Sequence, residues 1–103
     1  MSLITMSKKE RPILITGKSG TGKTTLAKEI AGEAYLLFYA NELEDKDWKS
    51  VDSNIIVEDV HYKANKEVIM TMIRQCNGML IFTSINEKDV PKDIKNSCRI
   101  RRA

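Results

Sequence analysis

Eight consecutive residues, Gly17-Lys18-Ser19-Gly20-Thr21-Gly22-Lys23-Thr24, have the types and spacing needed to hold phosphate. They match G-x-x-x-x-G-K-[ST] at every fixed position. Glycines let the backbone close around an anion, so that several N–H groups point at it together. The pattern implies Lys23 at the β- and γ-phosphates of a nucleoside triphosphate and the Thr24 hydroxyl as a magnesium ligand, with Thr25 beside it in the binding set. A glycine-rich turn without a ligand would also contain such residues. It would not need an apolar strand before it and an amphipathic helix after it, and this sequence has both.

Two further clusters carry chemistry. Asn54-Ile55-Ile56-Val57-Glu58-Asp59 is an apolar run ending in two carboxylates. Adjacent residues at a strand end point in different directions, so the pair can divide two roles. Glu58 is read as the metal ligand and Asp59 as the base that polarises an attacking water. The reverse assignment stays open. Thr83 and Ser84 end another apolar run, with Asn86 just beyond, and are read as polar groups near the γ-phosphate. Ordinary turn chemistry also favours these three residue types.

The elements that must position these residues follow from the apolar patterning. Residues 12–16 read as a buried strand and Thr24 to Gly32 as a short helix stopped by glycine. Ala34 to Tyr39 reads as a second buried strand, and Asn41 to Ser53 as a polar, acidic loop with a helical turn around Trp48. Ile55 to Val57 form a third strand. Residues 63–77 repeat apolar side chains at helical spacing and stop at Gly78. Met79 to Phe82 form a fourth strand, Pro91 starts a short helix, and Cys98 to Arg101 suit a fifth strand. Strands alternating with helices predict an α/β sandwich with a mainly parallel sheet of four to five strands flanked by helices. In such sheets ligands sit beyond the carboxyl ends of the strands, where all three clusters fall.

The 103 residues suffice for one domain, placed at 12–103, behind a leader at 1–11. With 42% hydrophobic and 30% charged residues the composition is that of a globular chain, not a disordered one. No apolar run reaches the roughly 20 residues of a membrane span, so no membrane partner is expected. Cys76 and Cys98 stand far apart without zinc-ligand spacing and read as small buried hydrophobes in a reducing, cytoplasmic setting. The net charge is a mild +3, but it is uneven. Glu42 to Asp47 is acidic, whereas Arg99, Arg101 and Arg102 crowd the C-terminus, a distribution that suits nucleic acid, a neighbouring subunit or plain solvation.

The order of phosphate loop, acidic strand end, polar strand end, Pro-containing helix and arginine resembles the AAA+ P-loop ATPases. Ile55 to His61 (IIVEDVH) is similar to the Walker B segments of bacterial replication initiators and helicase loaders. Ile81 to Arg99 resembles their sensor 1 strand running on to the arginine-finger region. The resemblance implies an ATPase that uses ATP and magnesium (Mg2+) in DNA replication or nucleic-acid remodelling. It places Lys23, Glu58 and Asp59 at the reacting phosphate with Thr83, Ser84 or Asn86 as sensor 1 beside them, and Arg99 at a neighbour's γ-phosphate. Its partners would be single-stranded DNA or a replication protein, a second copy of the chain, or another ATPase.

Two departures accompany it. The sequence stops where those families continue into a helical lid, and Asn96-Ser97-Cys98 can be aligned with the Ser-Arg-Cys of clamp loaders, putting Ser97 at the finger. The compact spacing of the motifs also suits helicases of small DNA viruses, and the phosphate loop would suit a nucleotide kinase. The missing lid would suit a non-hydrolysing module that regulates a full-length ATPase.

Overall fold

The computed structural model describes residues 10–103, so the expected leader falls largely outside the described residues. Five strands and three helices follow in the order β1 (Ile13–Thr16), α1 (Lys23–Ala31), β2 (Tyr35–Tyr39), β3 (Asn54–Glu58), α2 (Lys66–Gln75), β4 (Leu80–Ser84), α3 (Lys92–Ser97) and β5 (Arg99–Arg102). Short 3-10 turns occupy Ala40–Glu42, Trp48–Ser50 and Glu87–Asp89. The strands form one sheet in the order β2-β3-β4-β1-β5, every neighbouring pair parallel.

Side chains alternate between the two faces of each strand, which gives the sheet two apolar surfaces. Ile15, Ile56 and Ile81 face α1, whose Ala27 and Ala31 are small enough to bring the helix close. Leu14, Ile55, Val57, Leu80 and Phe82 point the other way, against Val68, Ile69 and Met72 of α2 and Ile94 of α3. The acidic loop after β2 is pinned by Trp48, which is 1% exposed and meets Phe38 edge to face at 5.7 Å. Its ring also carries the Lys46 ammonium 5.0 Å from the centroid.

Three readings of local structure need correction. β2 is an edge strand rather than a buried one, with Leu36 and Tyr39 exposed, because the first crossover carries the chain past two strand positions to the rim. α2 starts at Lys66 and not at Lys63, because the Asn65 side chain accepts from Val68 N at 3.3 Å and caps the helix there. α1 begins one residue earlier than read, at Lys23, since Gly22 is its N-cap. Arg11, read as leader, donates to the Asn96 and Cys98 carbonyls at 3.0 and 2.9 Å. Among the described residues, no helix is long and apolar enough to cross a membrane.

Candidate functional site

β1 ends at Thr16, and the next residue, Gly17, donates its N–H to the Ser84 carbonyl at 3.1 Å. This bond fixes the phosphate loop to the carboxyl end of β4. A Cβ on Gly17 would stand 2.7 Å from the Thr21 hydroxyl, so a larger residue here would push that hydroxyl off the Lys18 carbonyl it bonds. The Lys18 carbonyl then gathers three donors: Thr21 N at 3.2 Å, Thr21 Oγ1 at 2.7 Å and Lys23 Nζ at 2.9 Å. Gly22 turns the chain into α1 with φ 88°, a left-handed conformation that glycine adopts without strain.

The two longer helices begin differently. α2 is closed by its Asn65 cap and carries Glu67 in its first turn. α1 has no side-chain cap and no acidic residue in its first turn. Its leading N–H groups and the positive end of its dipole are therefore directed at a pocket of about 310 Å3. That is the arrangement by which helices take up phosphate. Ser19, Gly20, Gly22, Lys23, Thr24 and Thr25 line this pocket on one side, and Glu58, Asp59 and Ile85 on the other.

The Thr24 hydroxyl donates to both Glu58 oxygens, at 2.9 and 3.0 Å. A hydroxyl and a carboxylate on one spot beside a phosphate pocket form an all-oxygen donor set of the kind magnesium takes. The residues therefore fit the metal, and Thr24 and Glu58 are the side chains that would hold it. Asp59 leaves β3 in a left-handed conformation, φ 60°, uncommon outside glycine. Its N–H donates to Thr83 Oγ1 at 3.2 Å, and the Val60 N–H to the Thr83 carbonyl at 2.8 Å. Thr83 thus stitches the turn that presents Asp59 to the pocket.

The remaining expected residues lie elsewhere. Ser84 is buried, donates from Oγ to the Asn86 carbonyl at 3.0 Å, and lines a neighbouring cavity with Asn86. The Asn86 side chain accepts from Lys88 N at 3.0 Å, capping the 3-10 turn. In their place the exposed Ile85 reaches the phosphate pocket. Arg99 pairs with Ile13, at the amino end of β1 and thus across the sheet from its own phosphate loop. It meets Glu10 at 3.7 Å and stays exposed, while Arg102 is bound to Glu87 at 3.0 Å. Ser97 back-bonds to the Asp93 carbonyl at 3.0 Å. Burial raises the Cys98 thiol to about 12 against a smaller opposing effect of Arg11, so it stays protonated at neutral pH and is no nucleophile.

The family model of the ATPase family associated with various cellular activities (AAA) matches residues 13–76, more than half of the chain. The chain belongs to the AAA ATPase family. No curated protein sequence matches it significantly. Two solved structures of Thermotoga maritima RuvB variants, one with an arginine replaced by alanine and one with a threonine replaced by valine, share the fold. They superpose with TM-scores of 0.76 and 0.75 at 17% identity, over 95% of this chain. This AAA domain spans 39% of the length of those RuvB chains. The likeness bears out the parallel α/β sandwich expected from the alternating elements.

Proposed function

We propose that this AAA domain binds ATP with magnesium on residues 17–25 and hydrolyses it, coupling turnover to rearrangement of nucleic acid in DNA replication or a related transaction. The observation that carries the reading is the meeting of Thr24 and Glu58 at 2.9 Å beside the uncapped start of α1. Magnesium bound there would neutralise charge on the phosphates. Lys23 exchanges its contact with the Lys18 carbonyl for phosphate oxygens. The N–H groups of the loop and of α1 orient the chain of phosphates. Asp59, held by Thr83, accepts the proton of the attacking water. Arg99 serves a neighbouring copy's γ-phosphate, since it stands across the sheet from its own. RuvB-like folding and family membership support an ATPase; the nucleic-acid role rests on the resemblance to replication initiators and helicase loaders.

The test is ATP turnover with and without single-stranded DNA, beside Lys23→Ala. Expected are magnesium-dependent turnover, stimulation by the DNA, and loss of both in the variant. Absence of turnover with nucleotide still bound would make the domain a binding module. Transfer of the γ-phosphate to a small molecule instead of water would make it a kinase.

A further inference from the structure

A second cavity, about 430 Å3 in volume, adjoins the phosphate pocket and shares Asp59 and Ile85 with it. We propose that this cavity takes a base of single-stranded nucleic acid and passes its occupancy to the phosphate pocket through Asp59. The proposal rests on the nucleotide reading for the second half of that statement only.

The volume falls in the range of small-ligand sites, roughly 300–1,000 Å3. Its wall is chemically mixed. Val60 and Ile85 supply apolar surface, and Asn41 and Asn86 supply side-chain amides. An amide presents a donor and an acceptor side by side, matching the edge of a base. The Asn86 acceptor is already used by Lys88 N, which leaves its NH2 as the group for a base carbonyl or ring nitrogen.

Charge decides what part of a nucleotide enters. Asp59 and Asp89 line the cavity against a single ammonium, Lys63, and among the described residues no arginine joins them. A phosphate inside would meet net repulsion, whereas an uncharged ring would not. The rim supplies what the rest of a strand needs. Tyr62 is 66% exposed, with the Lys63 ammonium 5.8 Å from its ring centroid and the His61 ring edge-on at 6.2 Å. Aromatic rings carry stacked bases without sequence preference, and an adjacent cation suits the backbone that joins them. Ile85, 53% exposed, carries the apolar surface from this cavity to the phosphate pocket.

The coupling is geometric. Asp59 walls both spaces, and the turn that carries its left-handed backbone is held to Thr83 by two bonds, Asp59 N–H to Oγ1 and Val60 N–H to the carbonyl. Filling the cavity acts on the turn that aims the carboxylate at the phosphate pocket.

The experiment is fluorescence anisotropy of a short labelled oligodeoxythymidine titrated with the full chain, without nucleotide. Wild type is compared with Tyr62→Ala and Tyr62→Phe, and an ATP analogue is titrated separately. Tyr62→Ala should weaken oligonucleotide binding by at least about tenfold. Tyr62→Phe should stay close to wild type because the stacking face remains, and both should bind the analogue as wild type does. Equal oligonucleotide binding by Tyr62→Ala and wild type would overturn the proposal. So would failure of wild type to bind the oligonucleotide while the analogue binds, a result that leaves the nucleotide reading standing. Free thymidine competing as well as the strand and becoming phosphorylated would replace it with an acceptor site. Failure of the analogue to bind, with the strand bound through Tyr62, would remove the nucleotide reading and the coupling but keep the base site.

Discussion

Replacing Asp59 by asparagine will leave ATP binding close to wild type and lower steady-state hydrolysis by about a hundredfold or more. Among the described residues Asp59 makes no hydrogen bond to the phosphate loop, and its backbone N–H bonds to Thr83, a contact the substitution keeps. Asparagine also tolerates the φ of 60° found there, so the turn should survive. What the amide loses is the capacity to accept a proton from water. Glu58→Gln should behave differently, because Glu58 faces the Thr24 hydroxyl. It should raise the magnesium concentration needed for binding and turnover. Nucleotide titrations across a magnesium series, with single-turnover hydrolysis on the same variants, separate the two. If Asp59→Asn shifts the magnesium requirement and Glu58→Gln does not, the roles within the pair are exchanged.

Turnover per chain will rise with protein concentration, and Arg99→Ala will remove that rise with a loss on the order of a thousandfold at the highest concentrations. The reason is position. Arg99 starts β5 opposite Ile13, while the phosphate loop leaves the other end of β1, so it cannot reach its own pocket without dismantling the sheet. Its ion pair with Glu10 spans 3.7 Å between two exposed groups, a contact of small energy that does not restrain the guanidinium. Lysine should replace it poorly, because a point charge lacks the planar fork that spans phosphate oxygens. Arg101 is the better control: it shares Arg99's face of β5, whereas Arg102 is committed to Glu87. Mixing wild type with Arg99→Ala should depress activity beyond simple dilution. Rates that ignore both concentration and Arg99 would discard an arginine acting between copies and leave Ser97 at that place in the alignment.

The sequence made the phosphate loop legible because each feature there is local: a β-branched strand, glycines at fixed spacing, and a helix opened by lysine and threonine. The sheet type was legible for the same reason. What escaped depends on contacts between distant segments. The AYLLFY run is apolar enough for a central strand, and only the strand order shows that it lies at the rim. Asn65 reads as part of a helical stretch until its side chain is seen to cap Val68 N. Thr83 was one of three polar candidates beyond the fourth strand. Its hydroxyl instead supports the Asp59 turn, a pairing between residues 24 apart in sequence. Ile85, an apolar residue within a polar segment, gave no chemical signal, yet it walls both cavities. Asn41 and Tyr62 come together only because β2 and β3 are neighbours ending at the same edge of the sheet. A residue just past a strand's carboxyl end was the one available signal for both.

The most direct test of the central claim is calorimetric titration of wild type and Lys23→Ala with a non-hydrolysable ATP analogue, with and without magnesium. Lys23 is half-buried at the first position of α1, and its ammonium is held within the phosphate loop by the Lys18 carbonyl at 2.9 Å. Alanine is a better helix former than lysine, so α1 should keep its shape while the charge disappears. Magnesium-dependent binding that weakens at least about tenfold, or 1.4 kcal/mol, in Lys23→Ala is the predicted result. Equal affinity in the two proteins, or binding indifferent to magnesium, would contradict it.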